Sequence, residues 1–201
     1  MSKKYYKFMA AGCVGPLSGK KLEADKLLPA VEGDLIMCEN GYHFCTSEHL
    51  CQWANAELYA VEARGRIVKG DGKCCAREIK MTRIEKWNEK SARLFAADCA
   101  EQALPIFEKQ RPDDDRPRKA IKAARDFANG EITAEMRDAA GDAAGAAARA
   151  AAGDAAWAAA WAAARAAAWD AARDAAWDAA GDAARKWQSE RILHYIGEAT
   201  S

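Results

Sequence analysis

The chain has 201 residues, with 30 Lys plus Arg set against 30 Asp plus Glu. That length suits one large domain or two small ones, and the absence of net charge leaves no strong nucleic-acid signal. The first residues, Met1-Ser2-Lys3-Lys4-Tyr5-Tyr6, lack the apolar stretch of a signal peptide, and Asp and Arg interrupt the Ala-rich tract too often for a membrane span. Seven cysteines, an odd number, then read as reduced thiols, so a cytoplasmic protein is expected.

Residues 1–88 predict a small α+β domain built on a mostly antiparallel sheet. Tyr5-Tyr6-Lys7-Phe8-Met9 is a β-rich start, and Gly12, Gly15-Pro16 and Ser18-Gly19 mark turns. Leu35-Ile36-Met37-Cys38 and Tyr42-His43-Phe44-Cys45 read as short strands around the Glu39-Asn40-Gly41 turn. Ser47 can cap a short helix through about Ala56. Leu58-Tyr59-Ala60-Val61 and Ile67-Val68 are strand-like, Gly70-Asp71-Gly72 is a turn, and Cys74 to Ile84 alternates as a further strand.

Residues 89–201 predict an Ala-rich helical domain. Ser91 is a candidate N-cap for a helix through Ala103, and Pro105 either kinks that helix or starts the next one. Arg111 to Pro117 is a loop with helix-start chemistry: its Asp side chains suit free N–H groups and Pro117 suits a first turn. The next helix runs to about Ala128, where Asn129-Gly130 is a stop, and Thr133 caps its successor. Lys186 to Ile196 is an amphipathic helix with Trp187, Ile192, Leu193 and Ile196 on its apolar face.

Between these, residues 138–185 are twelve consecutive four-residue words of the form [Asp/Ala]-Ala-Ala-[Gly/Arg/Trp]. Ala is the strongest helix former, so the tract should be helical and closely packed. A four-residue step overshoots a helical turn by about 40°, which winds the Gly/Arg/Trp row around a single straight helix. A broken bundle is therefore favoured over one long helix, with Gly145, Gly153 and Gly181 as break points and Asp154 and Asp182 as N-caps beyond them. Asp170–Arg173 and Asp182–Arg185 have the spacing of i,i+3 ion pairs. Close packing of Ala-rich helices also allows a homo-oligomer.

No catalytic triad order, phosphate loop or dinucleotide fingerprint is present, and no cofactor is called for. Trp157, Trp161, Trp169 and Trp177 share one phase of the repeat, with Arg165 and Arg173 between them. Core packing is the plainer reading of this row. As a surface it would suit a nucleotide, since Trp stacks on bases and Arg grips phosphate. Asp114, Arg116 and Arg118 form a second candidate binding group; capping and ion pairing compete with it. His43 is a third candidate, flanked by Cys38, Cys45, His49 and Cys51. That spacing contains no CxxC pair and fits no common zinc module, so buried reduced thiols are the stronger reading.

Two stretches carry a family likeness. Cys99-Ala100-Glu101-Gln102-Ala103-Leu104-Pro105-Ile106-Phe107-Glu108, followed by Pro112-Asp113-Asp114-Asp115-Arg116-Pro117-Arg118-Lys119-Ala120-Ile121 and the Ala tract, resembles an immunity-protein family of bacterial toxin systems. The resemblance spans about residues 90–185 and implies a helical protein that binds and neutralises something. Tyr6-Lys7-Phe8, Gly15-Pro16, Gly41-Tyr42-His43-Phe44-Cys45 and Val61-Glu62 with Gly65 resemble a small domain of unknown function common in phage and bacterial proteins. Gly41-Tyr42-His43-Phe44, followed by a Ser-capped helix and a strand ending in Val61-Glu62, also has a faint likeness to NAD-using ADP-ribosyltransferases, without an assignable catalytic glutamate.

Three functions follow. The first is a non-enzymatic immunity or phage anti-defence inhibitor that holds a protein target, a toxin or defence component, by stoichiometric binding. The second is sequestration of a nucleotide-type signalling molecule at the Trp/Arg rows. The third, least supported, is an ADP-ribosyltransferase-like enzyme.

Overall fold

The computed structural model describes residues 4–143 and 170–198, with the backbone alone for 170–180. Two compact units emerge, one of Met1–Asn88 with Asp182–Ser201 and the other of Glu89–Gly181.

The first unit is a closed antiparallel sheet. Strands β1 (Tyr5–Met9), β2 (Tyr42–Thr46), β3 (Glu57–Lys69) and β4 (Cys74–Arg83) pair in the order β1-β2-β4-β3, and β3 returns to β1 to complete the ring. The expected fold class, an antiparallel N-terminal sheet followed by helices, is the one observed. Closure depends on β3, which the sequence splits in two but which forms one strand of 13 residues. The split falls at a bulge between Arg64 and Ile67, where Gly65 takes a φ of 74°. A bulge bends a strand and increases its twist, which lets one long strand serve both β1 and β4. Met9, Phe44, Tyr59, Val61, Cys74, Ala76, Ile79 and Met81 fill the core with Cys13 and Leu28.

The segment around Leu35 to Cys38 is not a strand. Ile36 and Asn40 close a tight turn, with Ile36 N–H donating to the Asn40 carbonyl at 3.0 Å. The Asn40 side-chain amide donates to the carbonyls of Glu32 at 2.6 Å and Asp34 at 2.8 Å. These local side-chain-to-backbone bonds override the strand propensity of Leu35-Ile36. Gly41 then has to be glycine: its φ is 138°, and a Cβ there would meet Leu35 Cδ2 at 3.1 Å and Cys75 Sγ at 3.2 Å. A 3₁₀ helix, Ser47–Trp53, follows β2; its N-cap is Thr46, one residue before the expected Ser47.

Two helices of the second unit form a hairpin. The α1 helix (Glu89–Gln110) and α2 helix (Arg116–Asn129) bury Ala97 and Leu104 against Ile121, with Ala124 beside them. Pro105 sits inside α1 without ending it, and Ser91 falls within the helix instead of capping it. Gly130 ends α2 with a φ of 79°, and its N–H reaches the Asp126 and Phe127 carbonyls. A helix α3 begins at residue 134 and is described to residue 143. Thr133 Oγ1 accepts the Met136 N–H at its start, at 3.5 Å.

The last helix, α4 (Asp170–Ile196), corrects the bundle expectation at one point. Gly181 lies inside it, so the chain does not break there and Asp182 is not an N-cap. Eleven of its first twelve residues are good or tolerated helix formers in a run of Ala, and one Gly costs only about 1 kcal/mol against Ala. Asp182 instead pairs with Arg185 one turn on, as the spacing predicts. Gly145, Gly153 and Asp154 lie outside the described residues. From Asp182 onward α4 belongs to the first unit, where Ile192, Leu193 and Ile196 are buried. Ser189 anchors it: its hydroxyl donates to the Glu48 carbonyl at 3.1 Å and accepts the Cys51 N–H at 3.2 Å. Glu198, just beyond, accepts from Tyr6 Oη at 2.5 Å and Lys4 Nζ at 2.7 Å.

Candidate partner-binding surface

The Asp-Asp-Arg-Pro-Arg block forms the turn between α1 and α2. Its charges are arranged as fixed pairs. Arg116 grips Asp114 with two bonds, Nε to Oδ1 at 2.8 Å and Nη2 to Oδ2 at 2.6 Å. The Arg116 N–H also donates to Asp114 Oδ1 at 3.2 Å, so one carboxylate serves both the helix start and the guanidinium. That bidentate grip holds the Asp114 carboxyl well below its ordinary range, at about 2. Arg118 reaches back across the hairpin to Glu108, with Nη2 2.6 Å and Nε 3.0 Å from Oε1.

Deeper in the hairpin, Arg125 of α2 bridges two acids of α1. Its Nη2 lies 2.7 Å from Asp98 Oδ1 and 2.6 Å from Glu101 Oε2. Asp98 is buried, and its pairing with Arg125 ties α1 to α2 at this level of the hairpin. The side-chain bond from Arg125 depresses Glu101 below its ordinary value, against a smaller upward push from burial. Near the end of α2, Arg93 and Arg137 stack on the Phe127 ring, 4.8 and 4.4 Å from its centroid. The exposed side of this unit carries paired charges on its helices, with Ile106 and Met136 exposed.

The sequence-proposed residues fall in three places. Asp114, Arg116 and Arg118 come together at the α1–α2 turn, although Arg118 pairs with Glu108 and not with an aspartate of the loop. His43 lies in the other unit, on β2. Its Nε2 accepts the Cys38 N–H at 2.8 Å, which fixes the tautomer with the proton on Nδ1. Burial, and then the charges of Lys7 and Lys73, push its pKa down. Trp157, Trp161, Arg165 and Trp169 lie outside the described residues. Arg173 and Trp177 are on the α4 backbone, with their side chains outside the description. Among the described residues no group of three or more His, Cys, Asp and Glu is placed to hold a metal ion. No helix among them is long and apolar enough to cross a membrane.

Arg125, Asp98 and Glu101 are missing from the sequence reading. Their pairing spans 24 to 27 residues, and no local periodicity signals a contact between two helices at that separation.

This paired-charge hairpin and the Ala tract are the segment that comparison identifies. Residues 82–181 match the Imm-5 like putative immunity protein family. The helical segment is thus similar to that family, in line with the resemblance carried by the Asp114-to-Arg118 block and the Ala tract. The closed sheet up to residue 81 lies outside the match. No curated protein and no solved structure matches the chain. The family supports an immunity role exercised by binding, with a protein partner such as a toxin.

Proposed function

We propose that this protein is a non-enzymatic inhibitor that neutralises a toxin or defence component by stoichiometric binding, with the α1–α2 hairpin as the recognition element. The observation that carries the reading is the family match over the segment that holds the hairpin. The hairpin suits recognition because its charged groups are fixed before any partner arrives. A guanidinium already held by Asp114 or Glu108 loses little side-chain entropy on binding, and paired charges of both signs select a complementary surface. Cytoplasmic action and a phage or bacterial setting are part of the same proposal, and rest on the sequence.

The test begins with the tagged full-length chain used as bait in a bacterial lysate. A captured protein is then expressed alone and with this chain. The proposal expects that protein to arrest growth alone, and the pair to form a 1:1 complex with growth restored. The triple change Asp114→Lys, Arg116→Glu, Arg118→Glu should weaken the complex at least tenfold with the fold unaltered by circular dichroism. A bait that instead releases a nucleotide on denaturation, with no protein partner, would favour the sequestration reading and make Trp161 and Arg165 the next targets.

A further inference from the structure

The first unit holds a cysteine–lysine pair that the immunity role does not use. Cys38 is exposed on the turn before β2, and its backbone takes a φ of 71°, a conformation that side chains other than Gly rarely adopt. Its N–H is held by His43 Nε2 at 2.8 Å. Its Sγ lies 2.7 Å from Lys73 Nζ, across 35 residues of sequence. Lys73 is fixed in turn: its ammonium sits 5.8 Å from the centre of the Trp53 ring, and Trp53 Nε1 donates to the Gly72 carbonyl beside it at 2.9 Å.

Such a separation is ordinary for N–H to oxygen. Sulfur is a larger acceptor, so the same separation is closer than a non-bonded nitrogen and sulfur normally come. It is the spacing of a nitrogen and a sulfur that share one bonded atom between them. We propose that Cys38 and Lys73 are a redox-dependent cross-linking site, joined through a single oxygen as an N–O–S bridge under peroxide.

The chemistry balances with two molecules of a peroxide as oxidant. The first oxidises the Cys38 thiol by two electrons to a sulfenic acid and leaves as water. The second oxidises the Lys73 amine by two electrons to a hydroxylamine and also leaves as water. The hydroxylamine oxygen then attacks the sulfenic sulfur. The S–O bond to the bridge forms, the sulfenic hydroxyl departs, and it takes the hydroxylamine proton to become a third water. One S–H bond and one N–H bond are lost, and the nitrogen keeps its other hydrogen; the net change is one oxygen gained and two hydrogens lost. The pair suits this sequence because the sulfur is open to peroxide while Cys13, Cys45, Cys74 and Cys75 are buried. The bridge would tie the turn before β2 to the turn between β3 and β4.

The test treats the folded full-length protein with hydrogen peroxide and measures intact mass, then maps digested peptides. The expected result is a gain of about 14 Da, located on a linked pair of peptides containing residues 38 and 73 and removed by a thiol reductant. Cys38→Ser and Lys73→Ala should each abolish it, and protein oxidised while unfolded in denaturant should lack it. Oxidation that stops at a sulfinic or sulfonic acid on Cys38, a disulfide between Cys38 and Cys75, or no reaction at position 38 would each overturn the proposal. Lys73→Arg, which keeps the charge but supplies no primary amine, guards against misfolding: a link that persists in it would equally refute the assignment.

Discussion

Replacing Arg125 by Met should loosen the α1–α2 hairpin more than any other single charge removal in the second unit. Asp98 has a side chain only 9 % exposed, and Arg125 31 % exposed. Removing one partner of a fully buried pair costs about 3–5 kcal/mol, whereas an exposed pair is worth about 0–1. The half-open guanidinium places this pair between those limits, at about 2–3 kcal/mol. Glu101 adds little to that, because its side chain is 52 % exposed. In a unit of this size the loss corresponds to a fall in melting temperature of roughly 10–20 °C. Hydrogen exchange resolved by mass spectrometry reads the α1 and α2 peptides separately from the sheet, so the two units do not have to unfold together. The double variant Asp98→Asn, Arg125→Met should recover at least 1 kcal/mol of the single-variant loss, since no buried carboxylate is then left without its guanidinium. An Arg125→Met variant whose helical peptides exchange as slowly as the parent's would refute this account of the hairpin.

Three further outcomes are expected. Ile192→Ala should destabilise the first unit by about 3 kcal/mol, because the side chain is fully buried; faster exchange in β1 and the 3₁₀ helix, and not only in α4, is the diagnostic sign. In carboxyl-resolved NMR, Asp114 should titrate near 2, and Arg116→Gln should return it toward the ordinary aspartate range; an unchanged midpoint would show that Arg116 does not set it. Burial raises Glu198, but its bonds from Lys4 and Tyr6 outweigh that and leave the folded-state pKa below the unfolded one. Its contribution is therefore complete above the unfolded pKa of about 4.3 and is lost as pH falls through the folded value. Glu198→Gln should flatten that part of the acid unfolding curve, and an unaltered curve would count against a stabilising role for the Glu198 bonds to Lys4 and Tyr6.

Much of the first unit could be read from the chain. Alternation in Tyr5 to Met9 and Cys74 to Ile84 marks strands because a half-buried sheet needs a two-residue period. The Leu35 to Cys38 stretch misleads because its propensity is that of a strand, while Asn40 closes it with bonds that depend on the position of two carbonyls. In the helical half, the Asp114 to Arg118 block is legible as a helix start, since capping is chemistry between near neighbours. Asp98 and Arg125 are not, since neither looks unusual on its own helix.

What the sequence determined by itself was therefore local: strands by alternation, the α2 stop at Gly130, helicity of the described ends of the Ala tract, and the immunity-family segment by its charged block. Only the tertiary structure decided which distant pieces meet. Ring closure needed the bulge at Arg64 to Ile67, which no period reveals. The return of α4 to the first unit rests on Ser189 meeting Glu48 and Cys51, some 140 residues away, and the Cys38–Lys73 pair on a contact across two turns. Loop-closure entropy opposes such contacts, and what offsets it is burial of several side chains at once. That summed burial is a property of the assembled unit, and no stretch of the chain carries it alone.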